Sequence, residues 1–247
     1  MAFTFSAPAK AVPVDVELQL LIDVSGSVDG SEFSLQRQGY VNAFNSAAVQ
    51  NSILSTANGR LGKIAVQAIY WSSSNLQAIA VGWSLLDTAQ AIQDFATNLG
   101  NAVRTSSGST AIGAAINFGV AQFANAFEGT TNVIDVSGDG DNNDGVAAAV
   151  ARDAALLAGI DRINGIAIGS AALQTYYQNN VIGGTNAFAL LATGFDTFDA
   201  AIQTKLAAEI KGEDPTNPST VPLPAAGWLL IGGLGGLAGL RRRRKAV

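Results

Sequence analysis

The chain has no cysteine and no histidine, and a single methionine among its 247 residues. Without cysteine there is no disulfide framework, no thiolate nucleophile and no sulfur-ligated metal. Without histidine, Ser-His-Asp and Cys-His catalysis fall away, together with imidazole-bound zinc and the commonest general base. Charge is sparse too, with 13% of residues Asp, Glu, Lys or Arg. Five of the fourteen basic residues are Arg241, Arg242, Arg243, Arg244 and Lys245, so the rest sets nine basic residues against nineteen acidic ones, a net charge of −10. No basic stripe remains to follow a phosphate backbone, which argues against nucleic acid as a partner. What the chain does have is 48% apolar residues. At this length that suffices for one domain of about 200 residues with a substantial core, plus appendages.

The apolar runs alternate in kind. Mostly unbroken ones predict strands over 16–24, 63–71, 77–83, 132–137, 162–168 and 187–190. Between them, helical patterns cover 31–48, 88–99, 111–127, 146–158, 173–180 and 195–211. Buried strands separated by helices indicate an α/β fold, a doubly wound and mostly parallel sheet flanked by helices, whose sites lie at the carboxyl ends of the strands. The short polar turn at 72–76 predicts one antiparallel hairpin, with Trp71 and Trp83 as core or sheet-face residues. Asp135 is an acid inside an apolar strand. If buried it needs a partner or a proton, and Arg104 and Arg162 are candidate partners.

Three predicted strand ends or helix starts carry oxygen ligands. The first apolar run ends in Asp23-Val24-Ser25-Gly26-Ser27, one carboxylate and two hydroxyls on alternate residues. Gly108-Ser109-Thr110 opens a helical stretch with a hydroxyl, and the strand at 132–137 runs out into Gly138-Asp139-Gly140. Carboxylate and hydroxyl oxygens suit a hard divalent cation that keeps waters and awaits an outside ligand. The bland alternative is that these are polar turns whose Ser and Asp only cap backbone groups.

This ordered set, D-x-S-x-S, then Thr, then Asp-Gly, resembles the von Willebrand factor type A (VWA) domain and its metal-ion-dependent adhesion site (MIDAS). The resemblance implies a Rossmann-like sheet and a metal held by Asp23, Ser25, Ser27, Thr110 and Asp139, the hydroxyls directly and the acids often through water. A partner's carboxylate would complete the coordination. The metal would be Mg²⁺, or Ca²⁺ or Mn²⁺. Within that family the Val-Ser-Gly-Asp-Gly third loop looks most like a group of uncharacterised proteobacterial proteins. The loop at 139–145 also has the alternating Asp and Asn of a calcium loop, but Asp144 stands where Gly is wanted and Val150 where Glu is. Its simpler reading gives Asp141 an outer-shell role, with Asn142, Asn143 and Asp144 shaping the loop and capping the helix that follows.

The C-terminal part divides into a polar linker, 212–220, and a segment, 221–247, that begins Val221, Pro222, Leu223, Pro224 and Ala225. An apolar stretch at 226–240 follows, then the five basic residues, which would remain cytoplasmic. Fifteen Gly-rich residues are short for a permanent span. The segment resembles the V-P-L-P-A variant of the PEP-CTERM sorting signals. That implies export by a Gram-negative bacterium, transient retention in the inner membrane, and processing by an exosortase-type enzyme that leaves the protein at the surface or outside. A plain retained anchor is the alternative. Residues 1–11 read as the end of a signal peptide, with Ala9-Lys10-Ala11 as its cleavage site and a VWA domain over 12–211. The expected function is therefore an exported, cation-dependent binding or adhesion module that captures an acidic group of a protein or polysaccharide. A surface or matrix protein stabilised by its cation is the alternative, and a metal-assisted hydrolase the least favoured reading, since a general base is missing.

Overall fold

The structure is a computed structural model and describes residues 10–216. The linker beyond Thr216, the sorting-signal segment and residues 1–9 lie outside the described residues. Seven strands form one sheet: β1 (Val12–Asp23), β2 (Ile64–Trp71), β3 (Gln77–Leu86), β4 (Phe127–Gly138), β5 (Arg162–Ile168), β6 (Gly183–Gly184) and β7 (Ala189–Ala192). The longest apolar run, β1, sits centrally and pairs in parallel with β2 on one side and β4 on the other. β5 continues in parallel from β4 and carries both β7, parallel, and the short antiparallel β6. β3 closes the opposite edge as the antiparallel partner of β2, the hairpin expected from the turn at 72–76. Chain order reverses about β1, so the crevice for a site lies at the carboxyl ends of β1 and β4.

Helices α1 (Gly30–Asn45), α2 (Ala47–Leu54), α3 (Ala89–Asn101), α4 (Ile112–Val120), α5 (Ala148–Leu157), α6 (Ala171–Asn180) and α7 (Phe198–Lys211) cover both faces of the sheet. Alternate residues of β1 feed two cores. Leu18, Leu20 and Ile22 pack with Tyr40, Phe44, Phe95, Phe198 and Leu206 beneath α1, α3 and α7. Leu21 joins Trp71, Ile112, Ile134, Val136 and Tyr177 beneath α4, α5 and α6. Trp71 and Trp83 serve the fold: Trp71 is fully buried, and Trp83 is partly buried, its Nε1 donating to Gln122 O at 2.9 Å.

Three expectations need correction. The helix expected over 31–48 is broken at Ser46, whose backbone is extended (ψ 143°) and whose hydroxyl both donates to Ala43 O and accepts from Val49 N, ending α1 and starting α2. The helix expected over 111–127 stops at Val120 in a 3-10 turn, Ala121–Phe123, and β4 begins at Phe127. There the Asn125 side chain accepts from Phe127 N and pairing with Val12 outweighs the helical pattern of an alanine-rich run. Asp135 is paired with neither Arg104 nor Arg162. Its Oδ1 lies 2.6 Å from Nζ of Lys205 on α7, and both side chains have no exposed area.

Candidate metal centre

Parallel pairing of β1 with β4 sets Ile22 opposite Ser137, so the chain leaves both strands side by side. Asp23 is the last residue of β1, fully buried, and its Oδ1 accepts from Ser25 N at 2.7 Å. That local turn faces the Ser25 hydroxyl inward, 3.1 Å from Ser27 Oγ. Ser27 is exposed and donates to Asp139 Oδ1 at 2.7 Å across the two strand ends. Thr110, buried just before α4, reaches Ser25 Oγ at 3.5 Å. All five residues expected from the three loops are thus brought together. Asp141 is exposed and, among the described residues, hydrogen-bonds to none of them.

Backbone bonds fix the loops to one another. Gly26 N donates to Gly108 O at 2.7 Å, and Asn143 N to Thr110 O at 2.9 Å. The Asn-Asn-Asp run after Asp141 clamps neighbouring loops as well. Asn143 Oδ1 accepts from Thr110 N, Asn142 Oδ1 from Gly113 N, and Asp144 Oδ2 from Ser74 N. The expected cap on the following helix is corrected by this pattern. Asn142 caps α4, which precedes it in sequence, and the first turn of α5 has no side-chain cap. Such a role crosses between elements, so sequence spacing carries no sign of it. The role of Arg104 is hidden from the sequence in the same way. Its Nη2 donates to Val24 O and Ser25 O at 2.9 and 2.8 Å, holding the first loop from beneath.

Burial dominates the electrostatics. It raises the Asp23 carboxyl from 3.8 to about 7, opposed by the Ser25 hydrogen bonds and reinforced by the Asp139 charge. Asp139 is raised by its own burial, which the Ser27 hydrogen bond partly offsets. Among the described residues Asp23 Oδ2 has no hydrogen-bond partner, and neither has the Tyr177 hydroxyl. Gly138 separates the two: a Cβ there would stand 2.7 Å from both Asp23 Oδ2 and Tyr177 Oη. The glycine beside the acid is therefore a packing requirement of a buried carboxylate. No cluster of three or more acids forms among the described residues. The donor set is two carboxylates and three hydroxyls, all oxygen, with one buried carboxylate oxygen unpaired. This set fits a hard divalent cation, which would supply the missing partner of Asp23.

Two clefts flank Asp139. One of about 420 Å³ is lined by Glu32, Leu35, Phe195 and Asp196, the other, about 320 Å³, by Asp141, Leu173 and Tyr176. Carboxylates and apolar groups line both, and among the described residues no lysine or arginine does.

A family model described as "Protein of unknown function (DUF1194)" matches residues 13–214. Among curated proteins, none matches. Solved structures do. Proximal thread matrix protein 1 from the mussel byssus, with a zinc-occupied MIDAS motif, superposes with a TM-score of 0.58 at 17% identity, over 82% of this chain and 49% of that one. The pilus adhesin SpaC from Lactobacillus rhamnosus GG gives 0.57 at 16%, over 83% and 31%. A von Willebrand factor type A protein from Catenulispora acidiphila gives 0.54 at 12%, over 80% and 43%. The chain thus spans half or less of the length of these proteins. At such identities the likeness establishes the fold, which is of the VWA type.

Proposed function

The chain belongs to the DUF1194 family, and we propose that it is a divalent-cation-dependent binding module. Asp23, Ser25, Ser27, Thr110 and Asp139 would hold the ion. Once bound, the cation supplies an electrophilic centre for an acidic oxygen of a protein or polysaccharide partner. The observation that carries this reading is the set of hydrogen bonds that draws five oxygen-bearing side chains from three loops together, one of them the buried Asp23, whose Oδ2 lacks a partner among the described residues. The zinc named in the mussel protein's MIDAS and the adhesin SpaC support it by analogy of fold. Mg²⁺, Ca²⁺ and Mn²⁺ are the proposed ions, and no enzymatic step is proposed. The acidic clefts beside Asp139 favour a partner whose coordinating acid stands alone or among basic groups. The sorting segment beginning at Val221 makes the setting an exported one, with processing at the inner membrane.

Titration calorimetry of the three cations into the full chain tests the reading. One site per chain, lost in Asp23→Ala and Thr110→Ala while both remain folded, supports it. A folded wild-type chain that takes up no cation overturns it. A second reading, a matrix protein stabilised by its ion, is favoured by the full burial of Asp23. It predicts that chelator lowers the melting temperature strongly, as loss of a ligand at a hundred times its dissociation constant removes about 2.7 kcal/mol.

A further inference from the structure

At the opposite end of the sheet, where β5 begins, Arg162 is 7% exposed and lines a cleft of about 180 Å³ with Arg60, Lys211, Asp15 and Glu209. A guanidinium cannot shed its charge by deprotonation, so a buried one needs an anion beside it. Arg162 has none. Its Nε and Nη1 lack hydrogen-bond partners among the described residues, and no carboxylate lies within ion-pair distance.

The two acids of the cleft are committed elsewhere. Asp15 accepts from Leu61 N, Gly62 N and Lys63 N at 2.7–3.3 Å and sits 3.6 Å from Arg60 Nη2. Glu209 accepts from Asn164 Nδ2 at 2.6 Å and from Lys205 Nζ at 3.2 Å, and Lys205 in turn holds Asp135. Arg162 and Lys211 are the cations of the cleft that have no ion-pair partner among the described residues. Residues 1–9 and 217–247 contain no Asp or Glu. Gly212, in the left-handed conformation (φ 76°) that ends α7, lies beside the guanidinium, with the position of a Cβ 3.6 Å from Nη2.

We infer that this cleft is a second binding site, for a small oxyanion or a pendant oxyanion group, held by Arg162 with Lys211 and Arg60. The planar fork of a guanidinium matches carboxylate and phosphate oxygens. The site lies at the amino-terminal edge of the sheet, opposite the candidate metal centre, and does not rest on the cation reading.

The test uses the full chain in chelator, at constant ionic strength, so that no metal bridges the probe. Inorganic phosphate is titrated in one arm and acetate in another, with binding followed by calorimetry and by melting temperature. Saturable binding of one ion per chain is expected, weakened roughly tenfold or more by Arg162→Gln, as loss of a charge-assisted pair implies. Tighter phosphate assigns the site to phosphoryl or sulfate groups, and tighter acetate to carboxylates. Should Arg162→Gln not fold, Lys211→Gln, at an exposed position, decides: a weakening of a few-fold supports the site. Absence of saturable binding of either probe, or affinity unmoved by the substitutions in folded protein, overturns it.

Discussion

Asp23 and Asp135 are both acids at or near the end of an apolar strand, both fully buried, and both raised by burial, yet they sit in opposite surroundings. Asp135 meets Lys205 at 2.6 Å, and Lys205 also holds Glu209, so two carboxylates share one ammonium in a buried cluster. Asp23 Oδ1 accepts from Ser25 N, and among the described residues its Oδ2 has no hydrogen-bond partner. The paired acid belongs to the packing between β4 and α7. The unpaired one lies where the strands end and the loops begin, at the place proposed for the cation. Burial alone therefore does not mark a site; burial without a counter-charge does. Arg162 meets the same criterion with the sign reversed.

The largest effect separates the two acids by stability. Lys205→Met removes the ammonium and leaves Asp135 and Glu209 buried without their cation, which should cost about 3–5 kcal/mol in urea denaturation. Asp23→Asn in chelator should cost far less, or stabilise, because it removes a buried charge that nothing in the protein pairs. Equal losses in the two variants would erase the distinction. The next effect is on cation affinity. Asp23→Asn keeps the shape but not the charge and should weaken binding about 10- to 100-fold. Asp135→Asn, on the strand that leads into Asp139, should leave the dissociation constant unchanged.

Much of this contrast was legible in the sequence and part of it was not. Strands, their alternation with helices, the hairpin and the three ligand loops follow from runs and turns that are local in the chain, and the structure gathers all five predicted residues. The partner of Asp135 was not legible, because Lys205 sits on an amphipathic helix where a lysine ordinarily reads as solvent-facing. The packing of α7 against α1, α2, β5 and β7 buries it. The loop residues 142–144 read as turn formers, and their use as clamps on Thr110, Gly113 and Ser74 depends on loops far away in sequence. Ser46 could be seen as a cap, but a helical pattern running across it on both sides concealed the break.

A further expected effect is a pH dependence that reads the two acids together. Asp23 has a folded-state value of about 7 against an ordinary 3.8, so the folded chain holds a proton that the unfolded chain releases. Its contribution to stability is present in full below about 3.8 and is lost as pH rises through 7. Asp135, raised in the same direction, adds to the slope. In chelator, then, the melting temperature should fall between pH 4 and pH 7. Cation binding must displace the Asp23 proton, so affinity should drop about tenfold for each pH unit below 7 and level off above it. Asp23→Asn should remove the Asp23 share of the melting slope and leave the share of the Asp135 cluster. A melting slope in Asp23→Asn as steep as in the wild type would mean that the unpaired carboxylate is not the group that titrates, and the contrast between the two acids would fail at its centre.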